Sequence, residues 1–142
     1  MSVVLAFDTA TSATVACAAG PGGSLAERRD DPAPGERPRH VQRLLGLCEE
    51  ALAEIGAGWD DVARIGAGVG PGTFTGLRIG LATARALAGA RDAEGVPVSS
   101  LEALAVGAEP AERVLAVIDA RRGEAFAAPF VAGARGAPPA AT

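Results

Sequence analysis

A short polar segment near the N-terminus carries residue types that could bind a phosphate. The apolar run Val3–Phe7 is followed directly by Asp8, and the hydroxyl residues Thr9, Thr11 and Ser12 come next. A carboxylate at the end of a strand can hold Mg²⁺ through bound water, and neighbouring hydroxyl groups can bind a nucleotide phosphate. A bland polar turn explains the same residues equally well. We therefore keep Asp8, Thr9, Thr11 and Ser12 as a candidate phosphate loop.

The other reactive side chains exclude several kinds of chemistry. All thirteen basic residues are arginine, so a Walker-type phosphate lysine, a Schiff base and a lysine general base are ruled out. His40 is the only histidine, which excludes a multi-histidine metal site and leaves a Ser/His/Asp or Cys/His mechanism without an assembled partner. Cys17 and Cys48 lie in apolar stretches and are expected to be buried hydrophobic residues. We predict no catalytic residue, no metal ligand and no cofactor.

The charge balance argues against direct binding to a nucleic acid. The chain has a formal charge of −4 and a pI near 5.0. Unaided binding to a phosphate backbone needs a clustered positive face. Any role involving nucleic acid is therefore expected to be indirect.

Two segments could be taken for a phosphate-binding or catalytic site, but both are explained more simply as turns. The glycines of Gly66–Gly80 could form a phosphate loop, but their spacing fits neither Gly-x-Gly-x-x-Gly nor the P-loop motif. Within this stretch Gly70–Gly76 is too rich in glycine for regular structure, so a turn and a helix start are favoured. Asp119–Glu124 places opposite charges between two apolar stretches, which predicts a turn held by weak ion pairs, with catalysis as the alternative.

The helix predicted after the glycine-rich turn carries a ridge almost free of side chains. Its small residues fall at every fourth position: Gly72, Gly76, Gly80, Ala84 and Ala88. Residues four apart lie on one face of a helix, so this ridge allows another element to approach closely. That neighbour could be the helix predicted over His40–Ile55 in the same chain or a helix of another protein, and the spacing leaves both open.

These segments must be positioned by an α/β fold. Apolar runs and turn signals predict a three-stranded meander followed by alternating helices and strands. The predicted elements are strands at Val3–Phe7, Thr14–Ala19 and Ser24–Arg28, an exposed loop at Asp30–Pro38, a helix at His40–Ile55, a strand at Ile65–Val69, a helix from about Thr75 to Ala90, a strand at Val96–Val98, a helix from Ser99 or Ser100 through Ala108, and a strand at Val114–Ile118. A mixed sheet covered by helices follows. The superfamily of actin, the sugar kinases and the chaperone ATPases, with its ribonuclease H-like lobes, shows this order of elements.

The same pattern predicts how the chain is divided. Residues 1–110 form a first lobe, residues 111–130 begin a second lobe that is truncated after about one hairpin, and residues 131–142 have no core-forming period and are expected to be a disordered tail. No apolar run approaches the length of about 18 residues that a membrane helix needs. We expect a cytoplasmic protein without a membrane partner.

Several motifs together resemble one protein family. They are Leu5–Thr11, His40 at the start of a helix, Gly70–Gly80, Ser99–Leu104 and Asp119–Glu124. The glycine-rich element is highly specific, and the resemblance, which runs from about Val3 to Phe130, is to the TsaB family. Members of this family usually continue through a fuller second lobe.

The resemblance implies a non-catalytic role. TsaB is the partner of TsaD, which transfers threonylcarbamoyl from its adenylate to adenosine 37 of tRNAs that read codons beginning with A. A third protein, the ATPase TsaE, joins the complex, and tRNA is reached only through it. In TsaD the strand corresponding to Val96–Val98 leads into a His-x-x-x-His metal motif, where this sequence has Ser100 and Leu104.

The resemblance also implies where a partner binds. In the family the first two helices form a bundle with TsaD or, in a homodimer, with a second copy. The interface residues expected here are His40, Leu44, Leu45, Gly72, Gly76, Arg78, Gly80 and Ala84. In this interpretation Asp8 and its neighbours are at most remnants of a nucleotide site.

The alternative is a small-molecule kinase or ATPase of the same superfamily. In it Asp8 and the hydroxyl residues Thr9–Thr11 would bind phosphate, and Asp119 would begin the opposite phosphate loop. Such enzymes close two lobes over the nucleotide to exclude water, and half a cleft is expected to bind poorly.

Overall fold

The computed structural model describes residues 1–108 and 113–131, and these residues form seven strands and three α-helices. The strands are β1 (Val3–Asp8), β2 (Thr14–Ala19), β3 (Leu25–Asp30), β4 (Val62–Gly68), β5 (Glu94–Val98), β6 (Arg113–Arg121) and β7 (Glu124–Val131). The helices are α1 (His40–Glu54), α2 (Phe74–Arg91) and α3 (Ser100–Val106). The predicted α/β class and order of elements are confirmed.

Five of the strands form one mixed sheet with the order β3-β2-β1-β4-β5. The meander β1-β2-β3 is antiparallel, whereas β4 and β5 run parallel to β1 because each is reached through a helix. Parallel pairing brings the carboxyl ends of β1, β4 and β5 to one edge. The loops that follow these strands therefore meet there, and they include Asp8–Ser12 and the glycine-rich turn.

The main core lies between this sheet and helices α1 and α2. Alternate residues of β1, namely Val3, Leu5 and Phe7, are buried under the helices. On α1 the residues facing the sheet include Leu44 and Leu47, both almost fully buried. Packing on one side of α1 leaves the residues on its other side to solvent or to a partner.

The last two strands form a separate hairpin, β6-β7, against which α3 packs around Leu101 and Ile118. The turn between the strands differs from the prediction, since β6 continues through Arg121 and the turn itself is Arg122-Gly123. Arg121 N–H donates to Asp119 Oδ1 over 2.7 Å. Within residues 1–108 and 113–131 no ion pair involves Asp119–Glu124, so a hydrogen bond to backbone rather than an ion pair holds the turn.

Some predicted boundaries shift by a few residues. β3 continues to Asp30, which was assigned to the following loop, and Val131 ends β7 rather than beginning a tail. Residues 132–142 of the predicted tail, and residues 109–112 at the predicted boundary between lobes, lie outside the described residues. In the described part of the chain, no helix combines the length and the apolarity that crossing a membrane would require.

Candidate functional site

In the candidate phosphate loop, Asp8 and Thr9 make hydrogen bonds to other residues of the same chain. Asp8 Oδ1 accepts a hydrogen bond of 2.7 Å from Ala10 N–H, and the buried Thr9 hydroxyl donates to the Gly76 carbonyl over 2.6 Å. A side chain at Gly68 would overlap the Asp8 carboxylate. Thr11 and Ser12 remain exposed. The loop is therefore a tightly packed turn in which two of the four predicted residues hold the fold.

The two phosphate-binding segments of the kinase hypothesis, at Asp8 and at Asp119, line different cavities. Asp8 and Thr11 line a cavity of about 390 Å³ together with Ser100. Asp119 lines another cavity, of about 820 Å³, on the side of the helix N-termini. A phosphoryl-transfer site needs both loops on one ligand. Asp8 and Asp119 instead lie on the walls of two different cavities.

The glycine ridge of α2 packs inside the chain. A Cβ at Gly76 would overlap the Thr9 carbonyl oxygen, one at Gly80 the Thr9 hydroxyl, and one at Gly72 the Ala10 backbone. Thr73 N–H donates to the Ala10 carbonyl over 2.8 Å and fixes this approach. Ala84, further along the same face, is buried in the core. We therefore correct the expectation that Gly80 and Ala84 contact a partner, because the β1-β2 loop and the sheet already cover them. Gly72 and Gly76 also line the 820 Å³ cavity, and their place at an interface stays a prediction.

Two predicted interface residues of α1 are also internal. Leu44 is 2% exposed and belongs to the core. His40 is 4% exposed, and its Nδ1 lies 2.7 Å from Thr14 Oγ1. Burial lowers the pKa of His40, although the Thr11 carbonyl and the carboxylates of Asp8 and Asp30 oppose this shift. Leu44 is therefore corrected to a core position, since α1 turns this face towards the sheet, whereas His40 also lines the 820 Å³ cavity and stays a predicted contact.

His40 has one further property. Its Nε2 is buried and has no hydrogen-bond partner of ordinary distance and angle among the described residues. Buried polar atoms are rarely left unmatched, because doing so costs about 1–3 kcal/mol. The lack of a partner for His40 Nε2 therefore requires a structural explanation.

An exposed apolar surface lies beside the predicted contacts, at the N-terminal halves of α1 and α2. Val41 and Leu45, one turn apart on α1, are 73% and 49% exposed, and Phe74 at the start of α2 is 74% exposed. The Arg78 guanidinium lies 5.0 Å from the centre of the Phe74 ring. Val41 and Phe74 line the same cavity, so the two helices contribute to one surface. We call Val41, Leu45, Phe74 and Arg78 the docking surface.

Sequence reasoning placed Leu45 and Arg78 at an interface but missed Val41 and Phe74. The signal for Val41 was present, because Val41 and Leu45 share a face of α1 that is rotated away from Leu44 and Leu47. Phe74 was hidden inside the glycine-rich motif, which was interpreted only through its glycines.

The 820 Å³ cavity adjoins this surface. Its walls are the N-terminal ends of α1 and α2 and the β6-β7 hairpin. Its lining residues are Arg37–Gln42, Gly72–Gly76, Ile79, Asp119–Arg121 and Phe126. Three of the motifs singled out in the sequence, around His40, Gly72 and Asp119, therefore meet at one place in the fold.

Comparison with known proteins connects this fold to tRNA modification. The family model described as "TsaD: tRNA N6-adenosine threonylcarbamoyltransferase" matches residues 35–135. The chain is 41% identical to the tRNA threonylcarbamoyladenosine biosynthesis protein TsaB of Haemophilus influenzae over 90 residues, which cover 61% of this chain and 38% of that protein. TsaB of Escherichia coli is 40% identical over 94 residues, covering 64% and 41%.

A solved structure extends this similarity to the fold. YeaZ from Pseudomonas aeruginosa matches with a TM-score of 0.80 and 36% identity, over 92% of this chain and 60% of that chain. This match confirms the ribonuclease H-like, actin-like fold class. The chain spans less than two thirds of the length of these relatives.

Proposed function

Because this chain belongs to the family of that model, as a member of the TsaB type, we propose that it is the non-catalytic partner subunit of TsaD. In this role it supports formation of N6-threonylcarbamoyladenosine at position 37 of tRNAs that read codons beginning with A. TsaD supplies the catalytic site, and the ATPase TsaE joins the assembled complex. When TsaD is absent, a second copy of the chain takes its place on the docking surface.

The observation that carries the proposal is the docking surface itself. Val41, Leu45 and Phe74 are large apolar residues that project from two adjacent helices. Burying one such side chain contributes about 1.5–3 kcal/mol, so burying three under a partner strongly favours association. Arg78 stacked over Phe74 is also typical of interfaces, where aromatic residues and arginine are enriched.

The chemistry of the remaining residues supports a role without catalysis. Where TsaD carries its first metal histidine, Ser100 accepts a hydrogen bond of 3.2 Å from Gly70 N–H and thereby anchors the glycine-rich turn. In the TsaD motif the second histidine corresponds to Leu104, which cannot bind a metal. An acidic chain of this kind would reach tRNA through its partner.

The test is association with TsaD from the same organism. Purified chain and TsaD are mixed and analysed by size exclusion with light scattering, and the Kd is measured by calorimetry. We expect a one-to-one complex. Phe74→Asp and Leu45→Asp, each placing a charge in the buried interface, should each weaken binding by roughly a hundredfold, or about 3 kcal/mol.

The control is Leu25→Asp, which places the same charge at another exposed leucine, on β3 and outside the docking surface. It should bind TsaD with the affinity of the original chain. If all three variants are folded and bind equally well, the docking surface is wrong. If the unaltered chain forms no complex, the proposed function itself fails.

No observation favours the kinase or ATPase alternative. Asp8 and Asp119 line separate cavities, and the Thr9 hydroxyl is already engaged by Gly76. That hypothesis predicts micromolar nucleotide binding by the chain alone, which calorimetry would detect.

A further inference from the structure

We propose that the 820 Å³ cavity beside the docking surface receives an acidic side chain of the partner protein. This inference rests on the proposed function, because Val41 and Phe74 belong both to the docking surface and to the cavity wall. A protein that covers these two residues therefore also covers the mouth of the cavity. Whatever it inserts must match the charges inside.

The charged side chains that line the cavity are mostly basic. They are Arg37, Arg39 and Arg121, with Asp119 as the acidic residue. Arg39 is already neutralised by a bidentate ion pair with Asp30 at 2.8 and 2.9 Å. In the described part of the chain, no carboxylate lies within 4.0 Å of a guanidinium nitrogen of Arg37 or Arg121. The hydrogen bond that Asp119 accepts in the turn does not cancel its formal negative charge, so Arg37, Arg121 and Asp119 together give the cavity one excess positive charge.

The backbone adds positive potential at the same place. α1 and α2, of 15 and 18 residues, both begin at the cavity, and neither has an acidic residue in its first turn. α1 also lacks a side-chain cap, since its N-cap residue is Arg39. The first N–H groups of a helix have no partner within the helix and carry a partial positive charge. At α2 the Thr73 hydroxyl already accepts a hydrogen bond from Gly76 N–H, so an anion would chiefly satisfy the donors of α1.

The unmatched Nε2 of His40 is an independent sign that an acceptor is missing. His40 lines the cavity, and its Nδ1 lies 2.7 Å from the Thr14 hydroxyl, a contact in which either group can donate. When the hydroxyl donates, the ring proton is on Nε2, and this N–H is a buried donor that needs an oxygen acceptor. A carboxylate is such an acceptor, and hydrogen bonds to a charged oxygen are the stronger kind.

The size and walls of the cavity favour a protein side chain over a free ion. A volume of about 820 Å³ far exceeds one carboxylate, and Ile79 and Phe126 give it apolar walls. An aspartate or glutamate with its flanking backbone would fill this space. Closing the docking surface over it would exclude water, which strengthens the attraction between arginine and carboxylate and offsets the cost of desolvating them. Charge complementarity of this kind also selects the partner.

The experiment compares charge reversals that differ only in their position. Arg37→Glu and Arg121→Glu change the cavity, whereas Arg122→Glu changes the next residue of the same turn, which does not line it. TsaD binding is measured by calorimetry at low and high salt. We expect each cavity reversal to weaken binding by roughly thirtyfold and to flatten the salt dependence, while Arg122→Glu stays within about threefold.

Two further measurements separate the outcomes. Arg37→Gln and Arg121→Gln remove the charge without reversing it and should give intermediate affinities; circular dichroism checks that every variant is folded. Inorganic phosphate, titrated into the chain alone and into the complex, tests for a free anion. If phosphate binds the cavity of the intact complex, the site takes a free anion and the inference is overturned.

Failure of the inference differs from failure of the proposed function. If the arginine variants bind TsaD as tightly as the original chain while Phe74→Asp does not, the docking surface stands and the acidic side chain is refuted. If the original chain does not bind TsaD at all, both are refuted together.

Discussion

Substituting Gly80 with alanine should destabilise the fold, although the same change at Gly89 of the same helix should stabilise it. At Gly80 the new Cβ would overlap the buried Thr9 hydroxyl, whereas at Gly89 no described atom outside the helix lies within 4 Å of it. Alanine in the middle of a helix is favoured over glycine by about 1 kcal/mol. The substitution is the same in the same helix, so Gly89 serves as the control for Gly80, although it lies in the last turn of α2.

The magnitude follows from what Thr9 must give up. Forcing an extra methyl group into a packed site costs about 1–3 kcal/mol, and moving the hydroxyl breaks its 2.6 Å hydrogen bond to the Gly76 carbonyl, at about 1 kcal/mol or more. After the helical gain we expect Gly80→Ala to lower the free energy of unfolding by about 2 kcal/mol, and Gly89→Ala to raise it by about 0.5–1 kcal/mol.

Urea unfolding followed by circular dichroism and by the fluorescence of Trp59, the single tryptophan, gives both values. A double-mutant cycle combines Gly80→Ala with Thr9→Ala, which removes the hydroxyl that the new methyl group would overlap. In that background Gly80→Ala should be neutral or stabilising. If Gly80→Ala alone is as stable as the original chain, or if its cost persists without the Thr9 hydroxyl, the internal role of the ridge is refuted.

Two further predictions concern buried titratable groups. Because burial lowers the pKa of His40 below its unfolded value, the unfolded chain binds more protons as pH falls through about 6.5, so stability should decrease from pH 7 towards pH 5; His40→Asn should flatten that slope, and an unchanged slope would contradict the assignment. Burial raises the pKa of Cys48 to about 12, so a thiol reagent near pH 8 should label it only as fast as the chain unfolds, and faster labelling would contradict its burial. The half-buried Cys17 is the internal reference, and it should react first.

The architecture was predictable because its signals are local. Glycine and proline clusters mark the turns, and the spacing of Leu44, Cys48 and Leu52 predicts the buried face of α1. The order of strands then follows from short connections and helical crossovers. Some boundaries moved because a strand continued into polar residues, as at Asp30 and Asp119–Arg121, whose backbone pairing does not depend on side-chain polarity.

The contacts of the site were not predictable in the same way. The spacing of the ridge was compatible with a neighbour from the same chain or from another protein. The residue that packs against the ridge, Thr9, lies 67 positions from its hydrogen-bond partner Gly76. No periodicity encodes a contact at that distance. Leu44 and Leu45 illustrate the same limit, since adjacent apolar residues on one helix are separated into core and surface only by how the helix is rotated against the sheet.

The internal role of the glycines also bears on how the docking surface is positioned. Thr9 and Ala10 hold the start of α2 through the Thr9–Gly76 and Thr73–Ala10 hydrogen bonds, and Phe74 lies between these two anchors. A defect at Gly80 should therefore weaken TsaD binding indirectly, by disturbing the packing that orients Phe74. Such a defect should be relieved by Thr9→Ala, whereas the loss caused by Phe74→Asp should not, because there the contact itself is gone. Binding measurements on the two double variants would thus distinguish a residue that positions the proposed interface from one that forms it.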